Sequence, residues 1–422
     1  MKYYKRIIDD EIKFRLETFG AVLLTGPKWV GKTTTAEQFA NSIIRLQDPD
    51  KSRSYIETAK VQPSFLLEGD LPRLIDEWQI IPELWDAVRL KIDNEKKKGM
   101  YILTGSNSTS LNDNMHTGIG RISRLNMYPM SLSESGDSNK KISLSKILND
   151  ENYDINGIKS DLSIEELIFT TCRGGLPEAV TASSDKSKLF IPKDYINSVC
   201  LVDINTIDDV KRNVNLSKLI LKTYARNVST IVKKSTMINE IRNEFSTLSN
   251  PTYDSYLNAF EKLFVVEEID AWNTNIRSKT AVIATKKRVF TDPSFATAIL
   301  NISPKDLQQD LKTFGFLFEN LCIRDLKIYS SMSDGEIKYY RDRYGLEADI
   351  VLTLNDGKYA LIECKLGSEG IESGAKNLLK LQDIINNNKI KKPDALIILT
   401  GGEYAYVRDD GVKVIPIGCL TV

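Results

Sequence analysis

Residues 26–33 read Gly-Pro-Lys-Trp-Val-Gly-Lys-Thr and follow the apolar run of residues 21–25. A stretch with helical spacing of apolar residues, including Ala36 and Phe39, comes directly after them. Glycine lets backbone N–H groups turn toward an anion with no Cβ in the way, and the start of a helix stabilises negative charge. A strand, a glycine-rich loop and a helix in this order predict a phosphate-binding loop.

The loop residues have predicted roles at a nucleoside triphosphate. Backbone N–H groups would surround the phosphates, Lys32 would contact the β- and γ-phosphates, and the Thr33 hydroxyl would ligate Mg²⁺. The sequence therefore predicts ATP and Mg²⁺ as ligands. The predicted nucleotide-binding residues of the loop are Gly26, Pro27, Lys28, Trp29, Val30, Gly31, Lys32, Thr33 and Thr34.

A strand that ends in acid supplies the second part of such a site. Residues 73–76 form an apolar run that ends at Asp76, and Glu77 follows. Asp76 would bind Mg²⁺, directly or through water. Glu77 would activate the attacking water as a general base.

Polar residues after two further segments are candidates for the same site. Thr104 and Ser106 close the run that starts at Tyr101, and they would hold the attacking water or the γ-phosphate, or else form a structural turn. Arg121 or Arg124, after a glycine-containing loop, would sense the γ-phosphate.

Composition excludes several classes of protein. The 422 residues allow two to four compact units, and 41% hydrophobic with 27% charged residues is ordinary for a globular protein. No apolar run reaches the roughly 18 residues of a membrane span, and the first ten residues do not resemble a signal peptide, so we expect a cytoplasmic protein without membrane contact. Lys+Arg and Asp+Glu are equal at 57 each, whereas a protein that coats DNA is normally basic.

The cysteine and histidine content argues against several kinds of structural and catalytic site. The five cysteines form no CxxC pair, which argues against a disulfide framework and a zinc knuckle. His116 is the single histidine, which nearly excludes histidine-based triads and histidine-rich metal sites. Basic clusters occur at residues 96–98, 233–234, 286–288 and 391–392, and solvated loop charge is the favoured interpretation of each.

Short apolar runs alternate with helical stretches from residue 21 to about residue 130, which predicts a parallel sheet covered by helices. The predicted strands are residues 21–25, 43–46, 73–76 and 101–104. Residues 131–160 contain few apolar residues and are interpreted as a loop or linker. Residues 161–270 look mainly helical and end in a strand at residues 265–269.

A further unit begins near residue 303. We predict a helix at 314–326, a strand at 336–340, two strands around the Asn355-Asp356-Gly357 turn, a helix near 373–386 and a strand at 395–400.

The two strands around residues 355–357 place three charged side chains near one another. Side chains alternate in a strand, so Glu363 and Lys365 share a face. With a three-residue loop Leu354 pairs with Lys358, and Asp349 then lies opposite Glu363, about 5 Å away at Cβ. Carboxylates this close repel unless a divalent cation such as Mg²⁺ or Mn²⁺ joins them. The cation would activate water for phosphodiester attack while Lys365 steadies the developing charge; the alternative is a merely solvated polar face.

Taken together, these motifs resemble those of predicted prokaryotic AAA+ ATPases, related to the STAND signalling NTPases, that carry a C-terminal restriction-endonuclease-like domain of the PD-(D/E)xK type. The similar segments follow one another along nearly the whole chain. They are residues 26–34, 74–82, 102–106, 120–121, 173–178, 314–320, 347–349 and 362–365.

The resemblance implies further site residues. Gly175 and Pro177 would lie in a lid and line the adenine pocket, and Glu319 would complete the metal shell of Asp349 and Glu363. Residues 214–272 would form a winged-helix module, although two acids on its exposed face, Asp254 and Glu261, would repel nucleic-acid phosphates.

The expected fold class is α/β: a P-loop NTPase with an ASCE-type parallel sheet, a helical lid, a winged-helix module and a C-terminal α/β restriction-endonuclease-like domain. The expected boundaries are 1–132 for the ATPase core, 133–213 for the linker and lid, 214–272 for the winged helix, 273–302 for a connector and 303–422 for the nuclease-like domain.

Three functions remain open at this point. The first is an ATPase coupled to a nuclease-like domain that cuts or binds nucleic acid. The second is a STAND-like signalling or scaffold ATPase whose C-terminal domain only binds a partner, which would be another protein or a second copy of the chain. The third is a transcription regulator that uses the winged helix.

Overall fold

The structure is a computed structural model that describes residues 3–106, 118–208, 210–273 and 285–422. His116 lies outside the described residues. The chain divides into two compact units. The first comprises Met1–Pro129 with Phe260–Phe264, and the second comprises Met130–Ala259 with Val265–Val422. None of the helices in the described part has the length and apolar character of a membrane span.

The first unit contains a five-stranded sheet in which every neighbouring pair of strands is parallel. Its strands are β1 (Ala21–Thr25), β2 (Ser42–Arg45), β3 (Arg73–Asp76), β4 (Tyr101–Gly105) and β5 (Ile122–Asn126), in the order β2-β3-β4-β1-β5. The four predicted strands are confirmed. Strand β5 was not predicted, because its sequence, Ile-Ser-Arg-Leu-Asn, contains only two apolar residues and forms no apolar run.

Helices cover both faces of this sheet. They are α1 (Ile8–Thr18), α2 (Lys32–Ala36), α3 (Ser52–Val61) and α4 (Glu83–Glu95). On one face, Leu23, Ile75 and Leu103 pack into a cluster with Trp85 and Val88 of α4. On the other face, strand residues such as Val22 and Ile102 join a cluster with apolar residues of α1. Burial on both faces explains why β1 is a continuous apolar run.

Helices also make up most of the described residues between 130 and 310. The helices after β5 are α5 (Leu132–Ser135), α6 (Leu144–Asn149), α7 (Ile164–Arg173), α8 (Pro177–Thr181), α9 (Asp185–Leu201), α10 (Val214–Arg226), α11 (Lys234–Arg242), α12 (Asn250–Lys262), α13 (Pro293–Leu300), α14 (Pro304–Gln309), α15 (Leu311–Tyr329) and α16 (Glu369–Asn387). The mainly helical character predicted for residues 161–270 is confirmed.

The prediction of a loop at residues 131–160 is wrong. This segment contains α5, α6 and the short strand β6 (Ile142–Ser143), which pairs with β15 (Leu420–Thr421) near the end of the chain. Ser131 and Glu134 cap α5 reciprocally. Its few apolar residues, among them Leu132, Ile142, Leu144 and Ile147, are buried, and the reciprocal cap and the pairing with β15 also hold the segment in place.

Besides the β6–β15 pair, the described part of the second unit contains a mixed six-stranded sheet and an antiparallel two-stranded sheet. The large sheet has the order β13-β14-β12-β11-β10-β9. Its strands are β9 (Glu336–Arg341), β10 (Glu347–Thr353), β11 (Tyr359–Lys365), β12 (Ala395–Thr400), β13 (Tyr406–Val407) and β14 (Lys413–Pro416). The antiparallel two-stranded sheet consists of β7 (Val266–Ile269) and β8 (Lys287–Phe290).

The hairpin between β10 and β11 has the predicted register. Ile350 lies opposite Ile362, and Thr353 lies opposite Tyr359. The N–H of Leu354 donates to the carbonyl of Lys358 at 2.8 Å, as a three-residue loop at 355–357 requires. Continuing this register places Asp349 opposite Glu363.

Candidate functional site

The loop between β1 and α2 depends on glycine at two positions. Gly26 has φ +144°, and a Cβ at this residue would lie 2.2 Å from the backbone oxygen of Met127. Gly31, which precedes α2, has φ +96°. A side chain at residue 26 would therefore displace the backbone that follows β5. Trp29, also at positive φ, is half exposed at the tip of the loop.

We expect Gly26→Ala to weaken Mg-ATP binding by at least about tenfold, because the loop cannot close against Met127. Gly120→Ala is the matched control. Gly120 also has positive φ (+77°), but a Cβ there would meet nothing within 4 Å, so only backbone strain of about 1 kcal/mol remains. Calorimetric titration of both variants checks this. Equal affinities for the two would contradict the steric account.

Lys32 lies inside the loop. Its ammonium group donates to the carbonyl oxygens of Gly26 at 2.9 Å and Pro27 at 2.7 Å. Burial lowers the pKa of Lys32 to about 8, and the nearby charges of Glu77 and Asp76 oppose this shift. An anion at the loop would restore the charged form.

Thr33, Asp76 and Thr104 meet at the carboxyl edge of the sheet. The hydroxyls of Thr33 and Thr104 both donate to Oδ1 of Asp76, each at 2.6 Å. Strands β3 and β4 are parallel neighbours, so their ends reach this edge together. A hydroxyl and a carboxylate oxygen are ligands that Mg²⁺ accepts. The residues therefore fit Mg²⁺, which Thr33 and Asp76 would hold.

Glu77 is fixed beside this group by an unusual backbone conformation and by polar neighbours. It has φ +57°, and its N–H donates to the Thr104 hydroxyl at 3.3 Å. The amide of Gln79 donates to Oε2 of Glu77, and the Ser106 hydroxyl lies 3.5 Å from the same oxygen. The carboxylate is thus oriented by neutral donors. Sequence reasoning missed Gln79, although its position two residues after a candidate base was a usable signal.

Arg121 is not brought to the phosphate loop of its own chain. Its carbonyl accepts from Ala21 N–H at 3.0 Å, and β5 runs parallel to β1, so Arg121 lies at the amino edge while the loop follows the carboxyl edge. Five residues of strand separate the two edges by roughly 16 Å. Arg121 instead pairs with Asp93 at 2.8 Å, and Arg124 lies over the Trp85 ring at 5.4 Å.

Arg6 is a loop contact that sequence reasoning missed. Its guanidinium donates to the carbonyl of Val30 at 3.0 Å and to that of Tyr128 at 2.7 Å, and the residue is buried. It therefore ties the tip of the phosphate loop to the segment after β5. No sequence signal identified it, because its partners are 24 and 122 residues away.

The Gly175 and Pro177 turn belongs to the second unit and is tightly packed there. The N–H of Gly175 donates to Asp292 at 2.9 Å, and its carbonyl accepts from Met130 N–H at 2.7 Å. A Cβ at residue 175 would lie 2.1 Å from the Met130 oxygen. Pro177 starts α8. These contacts give the turn a packing role. They do not test its predicted role at the adenine.

Asp349, Glu363 and Lys365 form a second charged group, in the second unit. The Lys365 ammonium lies 2.5 Å from Oε2 of Glu363 and 3.6 Å from Oδ2 of Asp349. Oδ2 of Asp349 also accepts from the N–H of Cys364 at 2.9 Å. The three side chains predicted from the hairpin register are therefore together. Although burial opposes it, the two carboxylates raise the pKa of Lys365 above its ordinary value.

Glu363 is a buried carboxylate with unmet hydrogen-bonding capacity. The residue is 0% exposed. Neither carboxylate oxygen accepts a hydrogen bond of ordinary geometry within the ranges that the structure describes, although Lys365 pairs with one of them. Burial raises the pKa of Glu363 to about 8; Asp349 adds to the shift and Lys365 opposes it. Such a group fits a cation between Asp349 and Glu363.

Glu319 is not free to complete this set. Its Oε1 lies 2.5 Å from the ammonium of Lys287, and both side chains are buried. Residues 286–288 therefore do not form a solvated loop cluster: Lys287 is a buried residue of β8. Across the described ranges, no group of three or more Asp, Glu, His or Cys side chains is arranged to hold a metal ion. Asp349 and Glu363 are therefore together, whereas Glu319, the third acid expected at the metal, is in an ion pair with Lys287.

All five cysteines are free thiols. Cys172, Cys200, Cys322 and Cys419 are buried, and Cys364 is partly exposed. None of these positions forms part of a disulfide framework.

Three family models match consecutive parts of the chain. Residues 18–136 match an AAA domain, residues 164–306 match a domain of unknown function (DUF8612), and residues 314–420 match another domain of unknown function (DUF4143). Uncharacterized proteins of Mycobacterium bovis and Mycobacterium tuberculosis are each 21% identical over 407 residues, covering 94% of this chain and 79% of the relative.

Two solved structures are similar at a low level. A Walker-type ATPase of Pyrococcus abyssi has a TM-score of 0.44 at 15% identity, covering 70% of this chain and 96% of that one. A STAND protein with a tetratricopeptide repeat sensor from Pyrococcus horikoshii has a TM-score of 0.26 at 13% identity, covering 79% and 50%. The AAA domain match, with the arrangement of Lys32, Thr33 and Asp76, supports a P-loop ATPase domain within residues 18–136.

Proposed function

We propose that this protein is a Mg²⁺-dependent ATPase coupled to a C-terminal site that acts on or binds nucleic acid. The observation that carries the ATPase is the Asp76 carboxylate shared by two hydroxyls, Thr33 and Thr104, with Glu77 directly beside it. A phosphate loop, a metal-holding pair and an oriented base are the parts that hydrolysis of a γ-phosphate requires.

Each of these residues has a distinct task. Lys32 would leave the loop carbonyls to neutralise the β- and γ-phosphates, and Arg6 would keep the loop closed by holding the Val30 carbonyl. Mg²⁺, held by Thr33 and Asp76, would supply charge neutralisation when bound. Glu77, oriented by Gln79 and Ser106, would accept the proton of the attacking water.

Calorimetry tests the first half of the proposal. We expect ATP to bind the full-length protein at one site per chain in the presence of Mg²⁺, and binding to weaken by about tenfold or more when EDTA removes the metal, because Thr33 and Asp76 then lose their link to the phosphates. Full-length protein that is well folded by circular dichroism but shows no heat with ATP or ADP would exclude the ATPase.

The second half rests on Asp349, Glu363 and Lys365. A divalent cation between the two carboxylates would supply Lewis-acid charge for phosphodiester hydrolysis, and Lys365 would stabilise the developing negative charge. The mixed sheet with the charged ends of β10 and β11 on one edge supports a domain of the PD-(D/E)xK type at residues 303–422.

The segment before this domain is consistent with the proposed winged helix. Helices α10, α11 and α12 precede the antiparallel pair β7 and β8, which is the order of elements that a winged helix requires. Asp254, one of the two acids expected to repel phosphates, is paired with Lys234. We propose residues 214–272 as this module, completed by β8 (Lys287–Phe290), with residues 133–213 as the lid.

A cleavage assay tests the nucleic-acid site. Incubation with single-stranded, duplex and branched DNA and RNA plus Mg²⁺ or Mn²⁺ should give products that fall by at least about tenfold in Asp349→Asn and Lys365→Met. Lys380→Met, on α16 and outside the charged group, is the control. ATP should change the rate, and Lys32→Ala should remove that change.

One observation favours a second candidate, a signalling or scaffold ATPase whose C-terminal domain only binds. Glu319, the third acid expected at the metal, is held in a buried pair with Lys287. Nucleic-acid or protein binding without cleavage of any substrate would support that candidate. Salt-sensitive binding to one defined duplex would instead support a transcription regulator.

A further inference from the structure

We propose that Lys287 is a positioning residue of the C-terminal carboxylate site, which holds Asp349 in place and removes Glu319 from the set of metal ligands. This deepens the proposed function of that site and rests on it. Lys287 lies in the segment matched by one family model, residues 164–306, whereas Asp349, Glu363 and Lys365 lie in the segment matched by another, residues 314–420.

The first observation is a bulge at Asp349. Ala348 pairs with Tyr340 of β9, but Val351 pairs with Lys338, so Asp349 and Ile350 together face the single residue Tyr339. A bulge takes a backbone group out of the ladder and re-aims the side chains beside it. The carbonyl oxygen of Asp349 therefore needs a partner from outside the sheet.

Lys287 supplies that partner. Its ammonium donates to the Asp349 carbonyl at 2.8 Å and lies 5.5 Å from the centre of the Tyr339 ring, the residue opposite the bulge. The same ammonium pairs with Glu319 at 2.5 Å. One buried cation thus contacts both sides of the bulge and one acid of helix α15.

The charges explain why Glu319 stays with Lys287. A buried ammonium without a counter-ion is costly, and a buried carboxylate is equally costly. The Lys287 ammonium has the Glu319 carboxylate at 2.5 Å as its counter-ion and the Asp349 carbonyl at 2.8 Å as a second acceptor. A divalent cation that recruited Glu319 would leave Lys287 buried with less compensation. A cation held by Asp349 and Glu363 would displace Lys365, whose side chain is 26% exposed, and the cost would be smaller.

Two readouts test the proposal on the full-length protein. The first is Mn²⁺ affinity, measured by electron paramagnetic resonance. Glu319→Gln keeps an acceptor for Lys287, so its Mn²⁺ affinity should stay within about twofold of wild type, whereas Asp349→Asn should lose at least about tenfold. Lys287→Met combined with Glu319→Leu removes the pair without leaving a buried charge, and it should weaken Mn²⁺ binding by about tenfold.

The second readout does not need the metal. The N–H of Cys364 donates to the Asp349 carboxylate, so its hydrogen exchange, followed by mass spectrometry of peptides covering 359–366, reports whether Asp349 is held. Exchange should accelerate by about tenfold in the Lys287→Met, Glu319→Leu double variant. Lys286→Met, at the half-exposed neighbouring lysine, should leave the rate unchanged.

The outcomes distinguish the assignment of metal ligands from the positioning role of Lys287. A Glu319→Gln variant that loses Mn²⁺ as severely as Asp349→Asn would make Glu319 a ligand and overturn the assignment. Unchanged Cys364 exchange in the double variant would overturn the positioning role. Wild-type protein that binds no Mn²⁺ would end the metal-dependent function and the ligand assignment with it, and the exchange data would still decide whether Lys287 holds Asp349.

Discussion

Glu77→Gln should lower the rate of ATP hydrolysis by about 10²–10⁴-fold, the usual effect of losing a general base, while the Kd for Mg-ATP should stay within about threefold of wild type. Glutamine has the same shape and keeps a carbonyl oxygen for the Gln79 amide and the Ser106 hydroxyl. It cannot accept the proton of the attacking water. The variant therefore binds nucleotide and fails at the chemical step.

We expect Lys32→Ala to weaken nucleotide binding, which Glu77→Gln should leave nearly unchanged. Because the Lys32 ammonium is the cation of the loop, its removal weakens nucleotide binding as well as turnover. Single-turnover hydrolysis of labelled ATP, together with calorimetric Kd values, separates the two effects. Glu17→Gln, at an exposed position of α1, controls for the loss of a carboxylate elsewhere in the unit.

Two results would contradict the role of Glu77. Normal turnover in Glu77→Gln would show that another group activates the water. Loss of nucleotide affinity equal to that of Lys32→Ala would place Glu77 in binding and not in chemistry.

Arg324→Met should destabilise the second unit by about 3–5 kcal/mol, the usual cost of breaking a buried ion pair by removing one partner. The Arg324 guanidinium lies 2.9 Å from Asp292 and 2.7 Å from Asp325, and all three side chains are at most 2% exposed. Its removal leaves two buried carboxylates without a cation.

The cost is large because the same carboxylates hold other segments. Asp292 accepts from the N–H of Gly175 and caps α13 through Ser294. Asp325 accepts from the N–H of Leu132 at the start of α5. One guanidinium thus supports the Gly175 turn and two helix starts, so its effect extends beyond two ion pairs.

Denaturant unfolding followed by circular dichroism measures the change in stability. Arg343→Met, at an exposed arginine in the turn between β9 and β10, should change the free energy of unfolding by no more than about 0.5 kcal/mol. A loss below about 1 kcal/mol in Arg324→Met would mean that water or relaxation compensates the two aspartates.

Local sequence was sufficient to predict features that depend on residues close together in the chain. The order strand, loop and helix at residues 21–36 determined the phosphate loop, because glycine conformation and the start of the helix are local properties. The Asp349 and Glu363 pair was equally predictable: strand alternation and a three-residue turn define a register by counting, and the observed pairing of Ile350 with Ile362 agrees with it.

Tertiary structure alone decided what depends on distant partners. Arg6 contacts the phosphate loop, and Lys287 contacts the bulge at Asp349, from positions far away in the chain. The position of Arg121 away from the carboxyl edge follows from the parallel pairing of β1 and β5. The sequence alone does not show whether a basic side chain is solvated or buried. Only the packing of the chain determines whether its charge faces water or a carboxylate, because the cost of burial is set by the surroundings and not by the residue.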